Sequence, residues 1–206
     1  MDYLMLVNRD NVLDKTYIPE DLIDCKSQYK DGILVNKVVY EQFMKMKKDA
    51  RKQNYNIDIM SGYRDYLYQD QIYNKLILEK GFNYAFRSIA PPGASEHQTG
   101  LAIDVCVHRG NNCYTEHDIE NIEEIKWVQN NAHKYGFILR YPKDLESITG
   151  YNYEAWHFRY VGNIASYIYN NKLTLEEYLK KWWVITFTYL SYEYYLIRCR
   201  FLQRHK

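Results

Sequence analysis

An excess of one charge sign is missing from this sequence: across 206 residues, 27 Lys+Arg stand against 26 Asp+Glu, a formal net charge of +1. A nucleic-acid binder needs a basic face that displaces counterions from phosphates. No such excess exists here, so nucleic-acid partners are set aside. Cysteine is scarce as well, with four residues (Cys25, Cys106, Cys113, Cys199). A small secreted scaffold stapled by disulfides would carry more; the four thiols do not fix the compartment. The opening MDYLMLVNRDNVLDKTYIPEDL lacks a basic segment followed by a long apolar stretch, the mark of a signal peptide or anchor. The expected setting is therefore cytoplasmic, or else the chain is the excised catalytic part of an exported bacterial protein. Internal repeats and low-complexity linkers are also absent.

What is present suits one domain with room for a short extra element. Hydrophobic residues make up 47 % and charged residues 26 %, ordinary values for a globular protein. Tyrosine is abundant, at 23 residues. Its ring covers apolar surface while its hydroxyl keeps a hydrogen bond, which suits a groove lining; a compositional habit of the source genome explains the count equally well.

Periodicity places the elements. Val39, Phe43, Met46 and Ala50 recur at helical spacing, predicting a helix over Lys37 to Asn54. Alternation predicts a strand over Asn56 to Met60, ending at Ser61-Gly62. A second helix is expected over Asp65 to Lys80, capped by Asp65 and closed by Gly81. Pro91-Pro92-Gly93 marks a turn. Leu101, Ile103, Val105 and Val107 alternate with Ala102, Asp104 and Cys106, a strand signature. A third helix is expected over Asn121 to Tyr135, closed by Gly136, with further strands over Phe137 to Tyr141 and Trp156 to Tyr160. Thr174-Leu-Glu-Glu177 has capping-box spacing and should open a last helix. This mixture predicts an α+β domain, a central antiparallel sheet flanked by helices. Residues 1–180 should form the catalytic domain and 181–206 an aromatic, basic tail. Within it, Trp182 to Ile197 is shorter than the ~20 apolar residues of a spanning helix. It reads as a packed terminal element, a membrane-surface segment, or a shifted-frame sequence without a role.

Three segments carry candidate chemistry: Ser61-Gly-Tyr-Arg64, Ser95-Glu-His97-Gln-Thr-Gly100-Leu-Ala102-Ile-Asp104, and Glu154-Ala-Trp-His157. A catalytic zinc takes three nitrogen or oxygen ligands and keeps one position open. His97 lies in the turn before a strand, Asp104 on that strand's non-aliphatic face, and Gly100 supplies the bend that lets both reach one point. His157 lies on another strand, on the face opposite Trp156, Phe158 and Tyr160. Glu154 precedes it by three, so it belongs in the turn entering the strand, where it suits a general base. Singly, each has an ordinary explanation: a structural histidine, a solvated glutamate, or an Asp104 paired with Arg159. The joint order is more telling.

These motifs resemble the zinc D-alanyl-D-alanine peptidases of the lysostaphin, D-Ala-D-Ala metallopeptidase and hedgehog superfamily, and most of all the vancomycin-resistance D,D-carboxypeptidases and the two-function D,D-peptidases. The family pattern Ser-x-His-x-x-Gly-x-Ala-x-Asp is met by Ser95 to Asp104, Glu-x-x-His by Glu154 to His157, and Ser-Gly-Tyr-Arg by Ser61 to Arg64, with Gln69 at the usual offset. Gly136-Phe-Ile-Leu-Arg-Tyr-Pro142 and Trp156-His-Phe-Arg-Tyr-Val-Gly162 also read as family sequence. The resemblance spans Leu6 to Leu179. It implies one zinc per chain on His97, Asp104 and His157, and Glu154 as base. Arg64 would bind peptide and steady the developing oxyanion, while Ser95 and Gln69 hold substrate and Trp156 walls the pocket. The alternative for Arg64 is a salt bridge to Asp65 or Asp70, and for Trp156 simple packing. The implied activity is a metallopeptidase removing D-Ala from cell-wall peptides, with glycopeptide resistance as a possible setting. The free D-Ala-D-Ala dipeptide, a pentapeptide precursor and an L,D bond in a tetrapeptide compete as substrates.

One non-enzymatic rival exists. Cys106, His108, Cys113 and His117 give Cys-x-His-x4-Cys-x3-His, and a structural zinc module would close four such ligands on the ion. The spacing is not that of a standard finger, and Cys106 falls on a presumed core strand. A hedgehog-like protein with an idle zinc site is disfavoured by the presence of both Glu154 and Arg64.

Overall fold

The computed structural model describes residues 2–182. Its centre is an antiparallel sheet built around one long strand. Strands β1 (Leu22–Asp24) and β2 (Leu34–Asn36) form a separate two-stranded ribbon; the main sheet holds β3 (Ile57–Ser61), β4 (Ala102–Arg109), β5 (Asn112–Tyr114), β6 (Phe137–Leu139) and β7 (His157–Tyr160). The order is β3-β4-β7-β6, with β5 hairpinned onto the far end of β4. Asp104 therefore sits between two partners, facing Ser61 across one edge and His157 across the other. The pairing with β3 shifts register between Ile59 and Ser61, a bulge of the kind that re-aims side chains near sites.

Helices flank the sheet: α1 (Lys37–Arg51), α2 (Tyr66–Lys80), α3 (Phe82–Ser88), α4 (Glu123–Asn131), α5 (Glu146–Thr149) and α6 (Ala165–Asn170), with a further one opening after Thr174. α1 follows directly on β2, its first turn capped by Asn36, whose Oδ1 accepts from Val38 N at 3.0 Å. Its stripe Val39, Phe43, Met46 and Ala50 is buried with Ile57, Ile59, Ile103, Val105 and Val107, as the spacing predicted. Burying such side chains stabilises by about 1.5–3 kcal/mol each. A smaller cluster joins Ile138, Val161, Ala165 and Ile168 to Leu175 and Tyr178. The capping box forms: Thr174 N donates to Glu177 Oε2 at 2.8 Å, and Glu177 N donates back to Thr174 Oγ1 at 3.2 Å.

The element expectations hold in kind and shift at the edges. α1 stops at Arg51 because residues 52–54 turn and Asn54 takes a positive φ of 61°. The third helix ends at Asn131 and tightens into a 3-10 turn, Ala132–Tyr135, before Gly136 at φ 85°. Asp65 caps α2 through Tyr68 N at 2.7 Å. Gly81 has φ 86° but an extended ψ of 159°, so it leaves α2 and starts α3 instead of making a left-handed cap. The helix opened by Thr174 covers 175–182. Beyond Trp182, the expected tail and its membrane reading lie outside the described residues. Among the described residues no helix is long and apolar enough to cross a membrane.

Candidate metal centre

The three expected ligands meet. His97 is presented by a 3-10 turn, Glu96–Thr99, ended by Gly100 in the left-handed region at φ 69°, the bend expected before β4. Asp104 and His157 are direct cross-strand partners on β4 and β7 and so share a face. His97 Nε2 lies 3.3 Å from Asp104 Oδ2, and His157 Nδ1 lies 3.2 Å from Asp104 Oδ1. One donor atom from each residue falls within 4.8 Å of the others, and all three residues are buried.

The surroundings fix which nitrogen faces the centre. His97 Nδ1 stands 2.6 Å from the Gly62 carbonyl. A carbonyl can only accept, so Nδ1 carries the proton and Nε2 keeps its lone pair. That carbonyl comes close because residue 62 has no side chain: a Cβ there would lie 2.2 Å from the Leu34 carbonyl oxygen. The glycine of Ser-Gly-Tyr-Arg is thus a packing requirement of the ligand's anchor. On its other side His157 Nε2 faces Glu96 Oε2 at an ion-pair distance of 3.5 Å without a hydrogen bond, which leaves Nδ1 toward Asp104 and Glu154.

Whether these residues suit a zinc ion is answered by their unmet donors. His97 Nε2 and Asp104 Oδ1 are buried and have no hydrogen-bond partner, a costly state for polar atoms unless something binds them. Two imidazoles and a carboxylate match the catalytic zinc set. Burial, helped by Arg64, holds the His97 pKa down to about 4. For His157, burial opposes protonation, but Asp104 and Glu96 outweigh it and raise the pKa to about 9. A carboxylate-lined point that draws a proton so strongly favours a cation. The set fits zinc.

Glu154 sits in the turn before β7, as expected, its N donating to the Tyr141 carbonyl at 3.1 Å and its Oε2 3.4 Å from His157 Nδ1. Burial pushes its pKa up to about 7 against the pull of His157. Arg64 takes neither alternative expected for it: its Nη2 is 3.8 Å from Asp104 Oδ2, and its buried Nε has no partner. A small cleft of about 30 Å³ is lined by Arg64, Gln69, Ser95, Tyr141, Tyr151 and Glu154, among others. Gln69 is fully buried, Nε2 donating to the Ala90 carbonyl at 2.7 Å while Oε1 has no partner. Trp156 packs on the main core cluster and does not line the cleft. Tyr141 does, its ring centroid 4.9 Å from that of His157; sequence reasoning named neither it nor Tyr151.

It also missed the group behind the site. Glu96 is fully buried, its Oε1 accepting from Arg140 Nε at 2.7 Å and Arg159 Nη1 at 2.8 Å. Burial opposes its ionisation, but the two arginines hold its carboxyl far below the usual carboxylate range. Arg140 continues to Glu176 in two bonds of 3.0 and 2.6 Å, and Arg159 Nη2 donates to the Met5 carbonyl at 2.7 Å. Arg159 therefore serves Glu96 and is not the partner of Asp104. The available signal was the two-residue spacing of His157 and Arg159, which puts both on one strand face.

Comparison with known proteins agrees with this geometry. The family model of VanY, D-alanyl-D-alanine carboxypeptidase, matches residues 32–163. The putative carboxypeptidase YodJ of Bacillus subtilis is 42 % identical over 184 residues, covering 86 % of this chain and 67 % of YodJ. The solved structure of the LdcB LD-carboxypeptidase superposes with a TM-score of 0.79 at 41 % identity, covering 85 % of each chain. A VanY D,D-pentapeptidase mutant from a VanB-type resistance cassette, solved in complex with Zn(II), superposes at 0.74 with 34 % identity, covering 87 % of this chain and 99 % of that one. With its zinc-type ligand set, its buried glutamate and its antiparallel sheet, the chain belongs to the VanY family of D-alanyl-D-alanine carboxypeptidases, which are zinc metallopeptidases.

Proposed function

We propose that the protein removes the C-terminal D-alanine from peptidoglycan-type peptides, with zinc held by His97, Asp104 and His157. The observation that carries this reading is the convergence of three buried donors with one half-buried carboxylate, Glu154, 3.4 Å from His157. Zinc, when bound, acts as a Lewis acid that polarises a carbonyl and acidifies water. Glu154 then takes the proton of the attacking water and returns it to the leaving amine; a carboxyl with a pKa of about 7 suits both halves of that transfer. Arg64 offers a fixed fork of donors, one nitrogen already buried without a partner, to the substrate's carboxylate or the developing oxyanion. Ser95 and Gln69, both buried at the cleft, hold the peptide backbone. The Gly62 carbonyl and Glu96 stand behind the His97 and His157 rings and keep these two ligands from turning.

An L,D-carboxypeptidase reading is favoured by one finding, the TM-score of 0.79 to LdcB. Product analysis separates the two. The zinc-loaded protein is given the D-Ala-D-Ala dipeptide, a tetrapeptide ending in one D-Ala, and a pentapeptide ending in D-Ala-D-Ala. D-Ala release from the pentapeptide well above the other two supports the proposal. Release from the tetrapeptide alone overturns it in favour of the L,D activity, and cleavage of the dipeptide alone makes the protein a dipeptidase.

A further inference from the structure

β4 carries a second group of metal-ligating side chains that the catalytic site does not use. Cys106 and His108 are two residues apart on that strand and share a face. Cys113 on β5 is the direct cross-strand partner of His108, so it shares the face too. The donor atoms converge. Cys106 Sγ lies 3.8 Å from His108 Nε2, and Cys113 Sγ lies 3.9 Å from the same nitrogen. All three donor atoms fall within 4.8 Å of one another, and both thiols are free.

Those separations can be compared with what an ion requires. Bonds of ~2.3 Å to sulfur and ~2.0–2.1 Å to nitrogen place S and N about 3.6 Å apart at a tetrahedral angle and about 3.8 Å at a trigonal one. The observed 3.8 and 3.9 Å are within a few tenths of an ångström of both. Two thiolates and a neutral imidazole around a divalent cation sum to zero charge, which suits a group whose inner member, Cys106, is wholly buried. Its outer member, Cys113, is exposed, giving an ion a way in and solvent as a fourth ligand. Three residues of the Cys-His module considered from sequence thus meet, beside the catalytic centre and not in place of it; the side chain of the fourth, His117, lies outside the described ones.

We propose that Cys106, His108 and Cys113 form a second metal site, for a thiophilic divalent ion of the zinc class, that clamps the short β4–β5 hairpin. Binding exchanges one cation for the two thiol protons, which go to solvent. The site neither needs nor contributes to peptide hydrolysis.

Co²⁺ is a suitable probe, because thiolate ligation gives a sulfur-to-metal charge-transfer absorption that a site of two histidines and an aspartate does not. The whole chain, kept reduced and freed of metal, is titrated with Co²⁺ alongside three variants. The wild type is expected to bind two ions and show the absorption. His157→Ala should bind one and keep the absorption. Cys113→Ser, an exposed substitution, should bind one, lose the absorption and still release D-Ala from peptide; His108→Ala should lose the absorption likewise. Stoichiometric Zn²⁺ should bleach it. No charge-transfer absorption in the reduced wild type overturns the proposal, as does an absorption unchanged in both Cys113→Ser and His108→Ala.

Discussion

Replacing Glu96 by glutamine separates a structural anchor from a group that sets a ligand's protonation. The side chain keeps its size and loses its charge. Two consequences follow from its contacts. The amide oxygen can still accept from Arg140 and Arg159, now 2.7 and 2.8 Å from the carboxylate, but the buried cations lose their shared counter-charge. Removing one member of a buried ion pair costs ~3–5 kcal/mol. Glu176 still neutralises Arg140, and the Tyr3 and Met5 carbonyls still hold Arg159, so a loss of about 3 kcal/mol is expected, the low end of that range. The second consequence is more specific. The amide NH2 would face His157 Nε2, now 3.5 Å from Glu96 Oε2, and would make that nitrogen an acceptor. In the neutral ring that metal binding requires, the proton then sits on Nδ1, the nitrogen facing Asp104 and the metal position. Losing such an orienting partner typically lowers metal affinity 10–100-fold, or about 1.4–2.8 kcal/mol. Denaturant titration of the zinc-free protein reads the first effect and zinc competition against a chromophoric chelator reads the second. A destabilised variant with wild-type zinc affinity would refute the orienting role and leave Glu96 as an anchor only.

Gly62→Ala should be damaging out of proportion to one methyl group, because its Cβ would meet the Leu34 carbonyl at 2.2 Å and Val35 Cγ1 at 2.5 Å. A loss of about 1–3 kcal/mol is expected from overpacking, with weaker zinc binding as the His97 anchor shifts; an unchanged denaturation midpoint and zinc affinity would contradict this. Glu124→Gln tests a tie between an exposed arginine and a buried carboxylate: Arg109 grips Glu124 at 2.7 and 2.6 Å, and that hydrogen bonding holds the carboxyl below its usual value of 4.5 against a smaller burial effect. A depressed pKa contributes stability above the unfolded value and loses it as pH falls through the folded one. The variant should therefore be ~0.5–1 kcal/mol less stable at pH 7 and converge on the wild type below the ordinary carboxylate range; an equal gap at neutral and strongly acid pH would count against the pair.

Much of the site was legible because its signals are local. Alternation over Leu101 to Val107 put Asp104 on the face opposite the aliphatic core, and the cross-strand pair with His157 needed only a second strand of matching phase. The same logic placed Glu154 in a turn. Glu96 was quoted within a motif and passed over, because its meaning lies in Arg140, 44 residues away, and Arg159, 63 away. No periodicity encodes such a distance. The β1–β2 ribbon and β5 are three-residue strands, too short to show alternation; β6 is equally short but lies within the mostly apolar run Phe137 to Tyr141, which reads as a strand. α3 was hidden by Gly81, whose positive φ reads in sequence as an end, while its extended ψ lets a new helix begin. Trp156 has the neighbours of a catalytic residue in sequence and the contacts of a core residue in space.

The central claim, that Glu154 is the base beside a zinc held by His97, Asp104 and His157, is tested most directly by Glu154→Gln. Zinc occupancy and D-Ala release from the pentapeptide are measured on one preparation. The amide preserves size and can still hydrogen-bond but cannot accept a proton, so occupancy should match the wild type while turnover falls by ~10²–10⁴. Loss of zinc together with activity would make Glu154 a ligand, and unchanged turnover at full occupancy would contradict the mechanism outright.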